Sequence, residues 1–207
     1  MNIREIEAIG QHVISLPHDH PVNHVDEAGG LFPPSRYYLF FRLLAALAKP
    51  RVSVVLGVCG GGDCHHLCIG NPDGRVVGVD IVRDHPEQME FLEKTHPGFT
   101  LHIGDSVESA RPVFDAFGPI NFLFIDTTHT KDATVLEFEA WKPYLVTGAI
   151  VCFDDLFRTE MAGVWEGIPE PKVRMDALHD GSPDVGGGFG VHVFTPAQGE
   201  PDCELGN

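Results

Sequence analysis

The chain has 207 residues, with 14 Lys+Arg against 30 Asp+Glu and a formal net charge of −16. That length predicts one compact domain with a sizeable core, and 43% hydrophobic with 21% charged residues excludes wholesale disorder. The acidic excess, with no block of Lys or Arg, excludes a phosphate backbone as partner. It also poses a question: whether the carboxylates merely solubilise, or whether some converge on a cation.

In the first thirty residues there is no apolar run of signal-peptide length, and the most apolar stretch, Tyr37 to Ala48, is interrupted by Arg42. A cytoplasmic protein without a membrane partner is expected. Five cysteines are an odd count, and Cys59, Cys64, Cys68 and Cys152 lie in apolar or glycine-rich surroundings, so free thiols are expected.

From the N-terminus, Ile3 to Val13 and Ser35 to Lys49 read as helices around a connection rich in His, Pro and Gly. Six short apolar runs follow: Val52 to Val58, Arg75 to Asp80, Phe99 to Ile103, Ile120 to Asp126, Ala149 to Asp154 and Val191 to Phe194. Without strict alternation, they read as strands covered on both faces. Between them Asp63 to Ile69, Pro86 to Thr95, Ser106 to Phe117 and Lys131 to Tyr144 read as helices. In the last of these, Val135, Phe138, Trp141 and Leu145 share one face by spacing. Strand and helix alternate, which right-handed crossovers turn into a doubly wound, mostly parallel α/β sheet. Phe157 to Asp184 mixes helix formers with Pro and Gly, Val185 to Gly190 reads as a loop, and Ala197 to Asn207 as a flexible tail.

The chemistry falls at the strand ends. The first strand runs into Gly57, Val58, Cys59, Gly60 and Gly61, where glycines permit a sharp turn and close approach of a ligand to a helix N-terminus. Asp80, followed by Ile81, ends the second strand, placed to take the hydroxyls of a ribose. Asp105 and Ser106 close the third, placed for an adenine edge. Together they describe a nucleoside site. The nicotinamide fingerprint Gly-x-Gly-x-x-Gly is not matched, because Val58 and Cys59 intervene before the next glycines.

The fourth strand ends at Asp126, with His129 three residues on, and the fifth at Asp154-Asp155. Neighbouring strands lie about 4.8 Å apart, so the three carboxylates converge, and hard oxygen ligands suit Mg²⁺ or a similar divalent ion. Helix capping by Asp154-Asp155 and a loop bond from Asp126 are the alternative uses of the same residues.

The glycine loop and acidic strand ends, over roughly Ser35 to Phe194, resemble class I S-adenosylmethionine-dependent methyltransferases. The order Asp-x-x-His followed by Asp-Asp resembles their metal-dependent small-molecule O-methyltransferases, most of all those that methylate sugar hydroxyls on macrolides and related natural products. The resemblance implies a seven-stranded Rossmann-like sheet. It implies S-adenosylmethionine on Gly57, Val58, Cys59, Gly60, Gly61, Asp80, Ile81, Asp105, Ser106 and Asp126. It also implies Asp126, Asp154 and Asp155 as metal ligands and His129 as general base. Residues 1–34 would form an N-terminal helix and lid-like connection, 35–196 the methyltransferase domain and 197–207 the tail.

The expected activity is metal-assisted transfer of a methyl group to a hydroxyl of a small polar molecule, with a homodimer allowed. An NAD-type oxidoreductase and a non-catalytic nucleoside-binding protein are the alternatives. Cys59, Cys64 and Cys68 with His65 and His66 fit neither common zinc nor cluster spacings. His18, His20 and His24 lie in the N-terminal connection, where a solvated loop or a lid over the substrate are the two readings. Phe157, Met161 and Trp165 read equally as acceptor pocket or core.

Overall fold

The computed structural model describes residues 1–17, 31–32, 35–179, 186–197 and 203. The His18, His20 and His24 connection, and all of the 197–207 tail except Ala197 and Cys203, lie outside the described residues. Helix α1 (Ile3–Ser15) is started by a reciprocal cap, Asn2 accepting from the Glu5 amide while the Glu5 carboxylate accepts from the Asn2 amide. Helix α2 (Arg36–Ala48) follows, and then the alternating run. Its strands and helices are β1 (Val52–Leu56), α3 (Gly62–Gly70), β2 (Arg75–Asp80), α4 (Pro86–Thr95), β3 (Phe99–Ile103), α5 (Ala110–Phe117), β4 (Ile120–Ile125), α6 (Lys131–Trp141) and β5 (Leu145–Phe153). The chain ends through α7 (Val164–Gly167), β6 (Lys172–Arg174) and β7 (Gly190–Val193).

The seven strands form one sheet in the order β3-β2-β1-β4-β5-β7-β6. All neighbours from β3 to β5 are parallel, and β7 is antiparallel to both β5 and β6. Alternate side chains of each strand enter two cores. Val55, Phe122, Phe124 and Cys152 pack under α1 to α4, while Val54, Leu56, Leu123, Ile125 and Phe153 pack under α5 to α7. This two-sided burial is why the runs lack strict alternation. Among the described residues no helix is long and apolar enough to cross a membrane.

Several boundaries differ from the sequence reading, each for a local reason. Helix α5 starts at Ala110 rather than Ser106 because the Asp105 side chain accepts from the Val107 and Glu108 amides, holding 106–109 in turns. Pro112 also confines the helix start to within a turn of itself, since it has no N–H to donate. Pro143 ends α6 in the same way, and Lys142–Tyr144 continues as a 3₁₀ turn. On α6 the structure buries Thr134, Glu137, Phe138 and Trp141 and leaves Val135 exposed, so the apolar spacing misjudged the inward face by a residue or two. Strand β6 was not anticipated: three residues, two of them basic, carry no apolar run, and the strand exists by pairing with β7.

Candidate functional site

The first residue beyond each of β1, β3, β4 and β5 donates its amide to a carbonyl at the end of the neighbouring strand. The Gly57 amide donates to Val79, Gly104 to Asp80, Asp126 to Leu56 and Asp154 to Ile125, at 2.8 to 3.2 Å. The ladder thus runs one step past the strands and aligns their ends in a row. Gly57 takes φ +82°, and a Cβ there would lie 1.9 Å from the Asp126 carbonyl oxygen, so the crossing of the β1 and β4 ends admits glycine alone.

Above this row opens a cleft of about 610 Å³. Seven of the ten residues expected to hold the cofactor line it: Gly57, Cys59, Asp80, Ile81, Asp105, Ser106 and Asp126. Val58, Gly60 and Gly61 do not. The Val58 side chain is buried in the core, and Gly61, at φ +73°, lets α3 approach Met89 and Leu92 of α4. Asp80 organises the loop itself, accepting from the Val58 and Cys59 amides at 2.8 and 3.2 Å through one oxygen and from Val82 at 3.3 Å through the other. A carboxylate has about four acceptor positions, so these three bonds leave room for one ribose hydroxyl.

Glu137, unforeseen from the sequence, closes the cleft near the β3 and β4 ends. It is 2% exposed and accepts from Ser106 Oγ at 2.6 Å and Thr127 Oγ1 at 2.8 Å. Burial pushes its pKa up, against the pull of the two hydroxyls. The Trp141 indole, one helical turn on, donates to the Ser106 carbonyl at 2.8 Å. The one legible sign was an acid interrupting the apolar face of α6.

At the β4 and β5 ends the charges crowd. Asp154 and Asp155 are buried, and with His179 they offer ligand atoms that all lie within 4.8 Å of one another. His179 Nδ1 is 2.7 Å from Asp154 Oδ1. Asp155 accepts from Arg158 Nε at 2.7 Å and from the Gly187 amide at 2.5 Å. Although burial opposes it, these two donors pull Asp155 below the usual carboxylate range. Asp126 has the opposite fate: burial first, then the Asp154, Asp63 and Asp155 charges, hold it well above that range. Asp63, in the first turn of α3 and 5% exposed, is a fourth member of this acidic group, and burial raises it to about 7.

His129 Nδ1 sits 3.2 Å from Asp155 Oδ2 and 3.7 Å from Asp126 Oδ1. Burial and the Arg158 charge lower its pKa, against the pull of Asp155, so the imidazole is neutral at pH 7. With the Nδ1 proton assigned towards Asp155, Nε2 is left as a base. His129 and Asp155 also have left-handed backbones, at φ +52° and +55°, a strain that persists where the surrounding structure fixes it. Neither His179 nor Arg158 was foreseen, for they carry no motif and become legible once folding sets them beside the Asp pair. Phe157, Met161 and Trp165 serve packing: Met161 is in the core, and Arg174 lies over the rings of Phe157 and Trp165.

The strand order, the crossing at Gly57 and the cleft over the parallel strand ends define a class I methyltransferase fold. A family model described as a methyltransferase domain matches residues 54–156, from β1 to just past Asp155. Among solved structures, an O-methyltransferase from Bacillus cereus in complex with SAH is 19% identical, with 94% of this chain and 92% of that one covered and a TM-score of 0.62. TomG from Streptomyces achromogenes, an O-methyltransferase involved in tomaymycin synthesis, in complex with SAM, is 16% identical, covers 95% and 92%, and has a TM-score of 0.60. CalS11, a TDP-rhamnose 3'-O-methyltransferase of calicheamicin biosynthesis, is 19% identical, covers 79% and 82%, and has a TM-score of 0.54. No curated protein matches the chain in sequence.

Proposed function

We propose that the protein is a divalent-metal-assisted O-methyltransferase acting on a hydroxyl of a small polar molecule such as a sugar or natural product. The observation that carries this reading is the meeting of Asp154, Asp155 and His179, with ligand atoms all within 4.8 Å of one another, beside the cofactor cleft, where His129 stands between Asp155 and Asp126. CalS11 and TomG share the fold and act in natural-product chemistry, which supports the acceptor class.

The residues present fit a hard cation. Asp126 is pushed far above its ordinary range because neighbouring carboxylates repel its charge, a penalty that a divalent ion among them would remove. Asp154, Asp155 and His179 would hold it, and Asp126, expected from the sequence as a third carboxylate ligand, stands outside that group of ligand atoms, beyond His129. When bound, S-adenosylmethionine supplies an electrophilic sulfonium methyl and the ion lowers the pKa of a bound hydroxyl. His129 Nε2 accepts the hydroxyl proton while Asp155 holds the opposite ring nitrogen. Gly57, Asp80, Asp105 and Ser106 position the nucleoside half, and the loop amides of Val58 and Cys59 are fixed by Asp80 before any ligand arrives.

The test is methyl transfer from labelled S-adenosylmethionine to a panel of sugars and polyhydroxylated natural products, with added Mg²⁺ or with chelator. The reading expects turnover that chelator suppresses and that Asp154→Ala lowers about 1000-fold, the scale of losing a cation that stabilises transition-state charge. Turnover indifferent to both chelator and Asp154→Ala would remove the metal from the mechanism.

A further inference from the structure

A cation beside the catalytic histidine is only half used. Arg158 donates from Nε to Asp155 Oδ2 at 2.7 Å, and the same oxygen faces His129 Nδ1 at 3.2 Å. One carboxylate oxygen therefore separates the guanidinium from an imidazole that lines the cleft. Among the described residues neither Nη1 nor Nη2 has a partner, Glu160 two residues on included, and the side chain is 35% exposed while Asp155 is buried. With Nε anchored on the protein, the two outer nitrogens form a planar fork of free donors whose aim is already set. Lys131 stands on the same side. It is the first residue of α6, two past His129, and a Cβ built on Gly163 would lie 2.8 Å from its Nζ, which sets the ammonium against the segment that follows Arg158. Thr134 Oγ1, donating to Met161 Sδ at 3.4 Å, ties that segment to α6 a second time. Lys131 has no ion pair among the described residues. The cleft lining holds no Lys or Arg, and a net charge of −16 repels anions at a distance, so this fork and this ammonium are local exceptions placed beside the base.

We propose that Arg158, with Lys131 beside it, selects a methyl acceptor that carries an anionic group, a carboxylate or a phosphate, close to the reacting hydroxyl. The proposal rests on the O-methyltransferase reading of the site and names the acceptor class within it. Two oxygens of a carboxylate or phosphate match the Nη1 and Nη2 fork, giving two parallel charge-assisted hydrogen bonds. Because the Asp155 bond already holds the side chain, little rotamer freedom is lost when the anion arrives. The same contact orients the acceptor: an anion on this fork brings a hydroxyl a few bonds away to His129 Nε2. An uncharged acceptor leaves the fork to water and gains neither the bonds nor the orientation.

The test is calorimetry on the full chain saturated with S-adenosylhomocysteine, at one ionic strength, with glucose, glucuronate and glucose 6-phosphate as probes. The wild type is expected to bind the better of the two anions at least about tenfold more tightly than glucose, the scale of hydrogen bonds to charged groups, and the order of the two anions tells carboxylate from phosphate. In Arg158→Gln that preference is expected to fall about tenfold. Arg158→Lys, which keeps the charge and loses the fork, and Lys131→Gln should each lower it about threefold, with S-adenosylhomocysteine affinity unchanged in all three variants. Equal binding of glucose and both anions, or binding of none of them, overturns the proposal. So does an Arg158→Gln protein that weakens all three probes by one factor, which would make Arg158 a brace for Asp155 alone. Should Arg158→Gln fail to fold, the wild-type ranking and Lys131→Gln decide, and a preference that Lys131→Gln leaves untouched overturns the assignment. If the wild type does not bind S-adenosylhomocysteine, the O-methyltransferase reading itself falls, an outcome distinct from cofactor binding with no preference among the probes.

Discussion

The two halves of the site hold their carboxylates by opposite means. At the β2 and β3 ends, Asp80 and Asp105 accept backbone amides: Val58, Cys59 and Val82 for the first, Val107 and Glu108 for the second. Those acids are held by loop amides, and the loops are shaped by them. At the β4 and β5 ends Asp126, Asp154 and Asp155 lie near one another, with Arg158 giving partial charge balance and His129 and His179 set against Asp155 and Asp154. A region built on amide donors is organised before a ligand binds, whereas one built on opposed charges responds to whatever cation or proton reaches it.

That contrast can be broken at several points. The largest stability effect is expected at the seam between the halves. In Gly57→Ala the new methyl would lie 1.9 Å from the Asp126 carbonyl at a positive φ, for a loss of about 3 kcal/mol. Thermal unfolding should shift down by roughly 6 to 12 °C, and S-adenosylhomocysteine binding should disappear with it. An unchanged melting temperature would show that the seam is not rigid.

On the charged side, His129→Gln is expected to lower kcat by about 100-fold while leaving S-adenosylhomocysteine affinity intact. Since the His129 pKa lies below its ordinary value, the wild-type rate should fall on the acid side of pH 6.5, and that limb should vanish in the variant. An acid limb that survives the substitution would assign the base elsewhere.

The smallest effect concerns Asp63. Its folded pKa, about 7, is above the unfolded value, so the native state holds the extra proton and stability declines as pH rises from about 4 to 7. Asp63→Asn removes that burden and should stabilise the protein by about 1 to 2 kcal/mol at pH 8, by about a third of that at pH 5 and hardly at all below pH 4. Equal melting shifts at pH 4 and pH 8 would show that Asp63 is not the group responsible.

Much of this site was legible in the chain. Asp80, Asp105, Asp126 and Asp154 each follow or end an apolar run, and parallel strands deliver such residues to one edge whatever the loops do. His179, Arg158, Glu137 and Asp63 were not legible. His179 reaches Asp154 across 25 residues, and Glu137 reaches Ser106 across 31, separations with no periodic signature. Val135 and Glu137 show the limit most clearly: spacing put the valine inward, but the hydroxyls of Ser106 and Thr127 made burial of the acid possible.

The amino-acid sequence by itself determined the alternation of buried strands and helices, and with it the sheet and the edge at which chemistry collects. Burial on both strand faces and right-handed crossovers leave few other arrangements. Tertiary structure alone decided which acids keep their protons, which histidine faces which carboxylate, and that the hydroxyls of Ser106 and Thr127 satisfy the buried Glu137. Those properties depend on desolvation and on distances of a few ångströms between residues far apart in the chain, quantities that register and helix packing set.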